Sequence, residues 1–281
     1  MARRLASLSD IAGIMQAMKG VASMETRVLA ELLQNQQALV AGLEGVAQGF
    51  LAQYPEQALD AARGVGTGSG GVCVLLGSEQ GFCGNFNELL LPQLVDQPAQ
   101  WVLVGRKLAE GVAARALHPP PAVLAETVGA LVATEVPAVL QRLSHTLSAL
   151  LAKIALPDCR VRVVFHCDAS QRIESRQVLP MAVNGGVRPA GATCASAQPL
   201  ELNVPPADFW QALGSQYLYA ALHEAMYSSL LWENRQRQAH MERALQRLDD
   251  DRERLQLRLN VARQEDITQE IEVLLLSAEP Q

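Results

Sequence analysis

Aromatic residues make up only 4% of this 281-residue chain, and lysine is confined to Lys19, Lys107 and Lys153. A chain poor in aromatics and rich in Ala and Leu loses little side-chain freedom in helices, so the composition favours them. Basic charge is in deficit: 23 Lys and Arg against 29 Asp and Glu leave a net charge of −6. A surface built to grip nucleic acid is basic, and that class of function is set aside. No run approaches the ~20 apolar residues that span a bilayer. The opening Met1-Ala2-Arg3-Arg4 has no apolar core behind its arginines and does not read as a signal peptide. If the chain works at a membrane, it does so from the aqueous side, without direct insertion. The cysteines Cys73, Cys83, Cys159, Cys167 and Cys194 are odd in number and form no CxxC. They read as free, partly buried thiols in a reducing compartment.

Proline is missing from the start of the chain to Tyr54 and again from Ala207 to Glu279. The first stretch, residues 1–55, carries apolar residues at alternating steps of three and four. They are Leu8, Ile11, Met15, Met18, Ala22, Leu29, Leu32, Leu39, Leu43 and Val46, with Glu25 and Gln36 filling two slots. That 3.5-residue period marks a helix seam facing another helix. Such a helix is on the order of 70 Å long and needs a partner to cover its stripe. The last stretch, residues 208–277, gives a helix on the order of 100 Å with a seam of its own. This seam runs through Met241, Leu245, Leu248, Leu255, Leu259 and Ala262, then Ile267, Ile271 and Leu274. Eight Arg and ten Asp or Glu between Glu233 and Glu272 line its other faces.

Between them, residues 70–206 alternate strand and helix signals after a Gly-rich linker, Arg63 to Gly71. Val72 to Leu76, Trp101 to Gly105 and Val161 to His166 are short apolar runs that suit buried strands, and Ile173 to Leu179 suits a fourth. Helices are expected over Asn85–Val95, Arg106–Leu117 and Val136–Ala155, and loop over Leu179–Pro206. Strand–helix alternation implies a parallel sheet with crossover helices. The expected fold is an antiparallel coiled coil of long N- and C-terminal helices with an inserted Rossmann-like α/β domain.

Few residues suggest chemistry. Gly81-Phe82-Cys83-Gly84-Asn85-Phe86-Asn87 follows a strand and opens a helix, a place where phosphate can bind. It lacks the Gly-Lys-Ser/Thr of a phosphate loop, and GxGxxG is absent from it. A tight structural turn made by Gly81, Cys83, Gly84 and Asn87 is the better reading. Cys83 has no identifiable base, so it does not read as a nucleophile. His166-Cys167-Asp168 offers metal-donor types, but His118, His145, His223 and His240 are scattered singly, and no ligand set emerges. Asp249-Asp250-Asp251 points three ways around a helix and reads as solvated surface. No catalytic residue, cofactor or metal is expected. An α/β nucleotide-binding enzyme with coiled-coil arms and a homodimeric coiled-coil scaffold are the competing readings.

Three patches resemble the gamma subunits of F-type ATP synthases. Ile11-Ala12-Gly13-Ile14-Met15-Gln16-Ala17-Met18-Lys19-Gly20-Val21-Ala22-Ser23 is similar to the family's first-helix signature, whose centre reads I-T-x-A-M-x-x-V-A. The Gly81–Asn87 turn is similar to G-L-C-G-G-[LF]-N. Asn260-Val261-Ala262-Arg263-Gln264-Glu265-Asp266-Ile267-Thr268-Gln269-Glu270-Ile271 is similar to N-x-A-R-Q-x-x-I-T-x-E-[LI]. Their order matches the family across essentially the whole chain. Two features depart from it. The N-terminus is shorter than in typical members. In Leu231–Met241, only Glu233, Arg237 and Met241 keep the family's S-E-x-x-A-R-M-x-A-M pattern. These departures imply a divergent branch, of the alternative N-type ion-translocating ATPases, and leave the coupling ion open between proton and sodium.

The resemblance implies a single-copy central shaft inside a ring of alpha and beta subunits, coupling ion flow to ATP synthesis or hydrolysis by rotation. It implies further contacts with the epsilon subunit and the membrane rotor c-ring. The location it implies is peripheral, on the cytoplasmic face of a bacterial inner membrane. It also implies that Arg263, Gln264, Thr268 and Glu270 touch the catalytic beta subunit, with Met18 and Lys19 opposite them.

Overall fold

The computed structural model describes residues 2–54, 56, 71–96, 99–115, 117–118, 120–152, 160–181 and 202–277. The expected linker as far as Gly70, the last three positions of the helix expected to Ala155, most of the expected loop after Leu179, Cys159 and Cys194 lie outside them. The chain divides into two compact units, Met1–Ser23 with Arg237–Gln281, and Met24–Gln236. The inner parts of both long helices therefore group with the sheet.

Helix α1 spans Ala2–Gln53. Strands β1 (Val72–Leu76), β2 (Gln100–Val104), β3 (Ala122–Thr127), β4 (Val161–Cys167) and β5 (Arg172–Leu179) form one sheet in the order β3-β2-β1-β4-β5. Helices α2 (Phe86–Asp96), α3 (Arg106–Ala114) and α4 (Val136–Leu151) connect them, and α5 spans Pro206–Ser277. The first four strands run parallel, as the crossovers require. β5 pairs antiparallel to β4, because only Asp168 to Gln171 separate the two and so short a connection closes a hairpin.

Strand alternation sorts the core into two layers. Val72, Val74 and Leu76 of β1 join Val102, Val104, Val161, Val163 and Phe165 on one face. That face packs against Val136, Leu140, Leu143 and Leu147 of α4, Leu29, Leu33, Val40 and Ala47 of α1, and α5 from Leu213 to Leu231. Cys73, Leu75, Trp101, Leu103 and Val164 point the other way, toward Phe86, Leu90 and Leu94 of α2 and Leu108 of α3.

Three expectations need revision. The sequence reading has no strand over Ala122–Thr127, yet β3 forms an edge there with every described side chain at least partly exposed. Its Ala and Glu are weak strand formers, and pairing with β2 on one side holds it in place. Helix α3 ends at Ala114, earlier than expected. In α1, Leu8, Met15, Met18, Ala22, Leu29, Leu32 and Leu43 are buried or half-buried as expected, but elsewhere the companion stripe is shifted by one residue. Ala12, Leu33, Val40 and Ala47 turn inward, while Ile11, Leu39 and Val46 are 43%, 52% and 43% exposed. Both stripes have the same period, and the small Ala12 and Ala47 permit closer approach than Ile11 and Val46.

Candidate functional site

Within the sheet-bearing unit the two long helices run antiparallel. Gln36 Nε2 donates to the Ala220 carbonyl at 3.0 Å, and the Tyr217 hydroxyl donates to Glu44 Oε1 at 3.0 Å. The Phe50 ring lies 5.0 Å from Phe209 and 5.6 Å from Trp210. As the position on α1 rises, that on α5 falls. In the other unit, Lys19 Nζ contacts Glu242 Oε1 at 2.9 Å, Ala22 and Met241 are buried, and Leu245, Leu248, Leu255, Leu259 and Ala262 are half-buried.

A doubly wound sheet takes ligands where strand order reverses, outside the carboxyl ends of the central strands. Here that place lies between β1 and β4. It is filled by α5. The Ser229 hydroxyl donates to the Leu76 carbonyl at 3.4 Å, and the Ser228 hydroxyl to the His166 carbonyl at 3.2 Å. The Asp168 amide donates to the Ser228 oxygen at 3.0 Å. One turn along, Trp232 joins the cluster on the opposite face of the sheet. Arg235 Nη1 lies 2.6 Å from Asp168 Oδ1, a charge contact without the alignment of a hydrogen bond. Burial pushes the Asp168 carboxyl up, and Arg235 opposes this.

The loop after β1 is closed in the same way. The buried Glu79 carboxylate accepts from the Arg106 amide at 2.9 Å and the Gly129 amide at 2.8 Å. The anion place at the N-terminus of α3 is thus taken by the chain's own side chain. Asn87 accepts from the Ser78 amide at 3.0 Å and donates to the Ser78 hydroxyl at 2.7 Å, with Cys83 Sγ 3.5 Å from the same oxygen. Gly84 sits at φ 65°, where glycine is favoured, and Phe82 at φ 62° with its ring exposed. Gly105, at φ 109°, admits no side chain: a Cβ would stand 2.7 Å from the carbonyl oxygens of Gly77 and Ser78.

His166 is 1% exposed, between the Phe86 ring at 4.1 Å and the Trp232 ring at 5.9 Å. Its Nε2 is 2.9 Å from the Phe86 carbonyl and so carries the proton. Burial lowers its pKa to about 4, although the hydrogen bond to Phe86 works the other way. Among the described residues no group of three or more His, Cys, Asp or Glu is arranged to hold a metal.

At the outer edge of the sheet, Arg176 pairs bidentately with Glu224 of α5, at 2.5 and 3.3 Å. Burial disfavours the Arg176 charge, but the Glu224 hydrogen bonds and charge outweigh it and raise the pKa. A cavity of about 480 Å³ beside this pair is lined by Gln37, Glu44, Gln177 and Tyr217. Arg176 and Glu224 pair with each other there, and Glu44 accepts from the Tyr217 hydroxyl. Burial, then the Glu44 carboxylate, raises the Tyr217 pKa.

The residues expected to meet partners are not brought together. Lys19 contacts Glu242 and Met18 is half-buried, whereas Arg263, Gln264, Thr268 and Glu270 lie over twenty positions further along α5. All four are exposed, and the Thr268 hydroxyl is satisfied by the Gln264 carbonyl at 2.8 Å. Every residue from Arg263 to Glu272 is exposed, including Ile267 at 56% and Ile271 at 52%. The side chains of Leu274 to Leu276 lie outside the described residues. Glu233, Arg237 and Met241 are 4%, 6% and 0% exposed. Their charges and bulk serve the interior. The sequence reading missed the Ser228-Ser229 pair and Glu224, whose only signal was small or charged residues within an otherwise apolar stretch of α5.

A family model described as ATP synthase matches residues 1–279. No curated protein sequence matches significantly. Among solved structures, a chain from the central stalk and c-ring of the Tetrahymena thermophila mitochondrial ATP synthase is 17% identical. The match covers 82% of this chain and 99% of that one, with a TM-score of 0.59. A chain of the Euglena gracilis mitochondrial ATP synthase (OSCP/F1/c-ring, rotational state 3) is 14% identical, covers 90% and 93%, and has a TM-score of 0.50. No helix among the described residues is long and apolar enough to cross a membrane.

Proposed function

The chain belongs to the ATP synthase gamma-subunit family, and on that footing we propose that it turns as the central-stalk rotor without a catalytic site of its own. One observation carries this reading: from Arg263 to Glu272 the helix exposes every side chain, apolar ones included. A lone helix with apolar residues open to water is supported only when something encloses it. A ring of alpha and beta subunits supplies such an enclosure, with the nucleotide sites in the ring. The crevice between β1 and β4 is filled by the α5 helix, which fits a shaft fastened to the sheet.

The proposed partners are the alpha and beta subunits around the helical shaft, with the epsilon subunit and the c-ring at the α/β domain. One copy serves each complex, with no nucleic acid and no direct membrane insertion. The proposed location is peripheral, at the cytoplasmic face of a bacterial membrane. In this reading Arg263, Gln264, Thr268 and Glu270 contact the beta subunit, whereas Met18 and Lys19 act at the level of Glu242.

The test is co-expression with alpha and beta subunits from the same source, with and without this chain. A complex holding one copy, with faster ATP turnover than the ring alone, is expected. A folded homodimer that neither joins the ring nor alters its turnover would point instead to a scaffold.

A further inference from the structure

The contacts between α5 and the sheet do more than fill space. They fasten one helix to three strands by polar and charged bonds: Ser229 to the end of β1, Ser228 to the end of β4, Asp168–Arg235 just beyond β4, and Arg176–Glu224 on β5. Apolar packing resists separation but has little preference for direction, so a helix can slide or roll against a sheet at modest cost. The hydrogen bonds of Ser228, Ser229 and Glu224 prefer one distance and one angle, and the Asp168–Arg235 charge contact adds attraction without that alignment. Glu224 and Asp168 are 9% and 12% exposed, so each charge is costly to leave without its cation.

We propose that this set is a torque joint, in which Ser228, Ser229, Arg235 and Glu224 are positioning residues that carry turning force between the α/β domain and α5. The joint stands where related sheets bind a ligand. The carboxyl-end carbonyls of Leu76 and His166 accept from the shaft helix there. The geometry suits the task because the fastenings lie at separate places. Glu224 bonds at the outer edge strand, and Ser229 bonds at the central strand. Two separated anchor points resist rotation of the helix relative to the sheet, which a single point does not.

The inference rests on the rotor reading, so its test uses the whole ion-translocating complex in sealed vesicles. ATP hydrolysis is followed together with ATP-driven acidification, read by a pH dye, and uptake of labelled sodium. The variants are Glu224→Gln with Arg235→Gln, and Ser228→Ala with Ser229→Ala. A third, the exchange Arg176→Glu with Glu224→Arg, restores opposite charges in reversed order. Ions moved per ATP should fall about twofold or more in the first two, with the chain still present in one copy, and recover in the exchange variant. Unchanged ions per ATP in assembled Glu224→Gln/Arg235→Gln complexes would overturn the joint while leaving the rotor reading intact. A wild-type chain that fails to raise ring ATPase would overturn the rotor reading itself. Loss of ions per ATP without recovery in the exchange variant would assign the effect to general loosening and also count against the joint.

Discussion

His166 shows how a buried side chain changes meaning once its neighbours are known. In sequence, His166-Cys167-Asp168 offers metal donors. In the fold, the ring is packed between Phe86 and Trp232 and held neutral. An unfolded histidine takes up its proton near pH 6.5, whereas the folded one resists until about pH 4. The unfolded state therefore binds more protons between those values, and stability falls as pH drops from 6.5 to 4. The loss is on the order of 3 kcal/mol at most. His166→Gln keeps an N–H for the Phe86 carbonyl and does not titrate, so it should flatten this part of the urea midpoint against pH. An equal slope in both proteins would contradict the assignment. Asp168 titrates nearby and remains in both, so the difference between them isolates His166. Gly105 offers a second test. Gly105→Ala places a methyl group against two carbonyl oxygens at an unfavourable φ and should cost about 2 kcal/mol or more, read by thermal unfolding. No local pattern announces either effect, because Phe86 and Trp232 are far from His166 in sequence, and Gly77 and Ser78 far from Gly105.

Among the elements, the long helices and β1, β2 and β4 were legible because their patterns are long or uniformly apolar. The edge strand β3 was not, since Ala122-Val123-Leu124-Ala125-Glu126-Thr127 depends on β2 for its conformation. The phase of α1 was half legible. Ile11 and Ala12, Leu39 and Val40, and Val46 and Ala47 are adjacent apolar pairs, and the 3.5-residue period admits either member. Packing decides, and a pair of substitutions shows how. Leu33→Ala, at a 6% exposed position, should destabilise the chain by about 2–4 kcal/mol. Leu39→Ala, at a 52% exposed position, should change stability by no more than about 0.5 kcal/mol. Equal losses measured by denaturant unfolding would mean that the other stripe faces inward. The polar residues of α5 were overlooked for a related reason: Glu224, Ser228 and Ser229 look like surface residues until β5, β1 and β4 are placed beside them.

For the whole molecule, the resemblance carried by the Met18, Gly81 and Arg263 patches located the family before any fold was known, and the match across residues 1–279 agrees with it. The patches do not all act alike. Cys83 and Phe86 of the Gly81–Asn87 turn are buried, as are Glu233, Arg237 and Met241, whereas every residue from Arg263 to Glu270 is exposed. Arg263→Glu should therefore leave the free chain as stable as before and lower the ATPase of the assembled ring by about fivefold, the effect of losing one contact of roughly 1 kcal/mol. A destabilised free chain or undiminished ring activity would place Arg263 in a different role. The central claim is that this chain turns, and the most direct measurement is rotation itself. A bead is fixed through Glu110→Cys, on the exposed side of α3, while the beta subunits are held on glass. Stepwise turning in one direction on addition of ATP is the predicted result. A bead that stays still on complexes that hydrolyse ATP at full rate would contradict it.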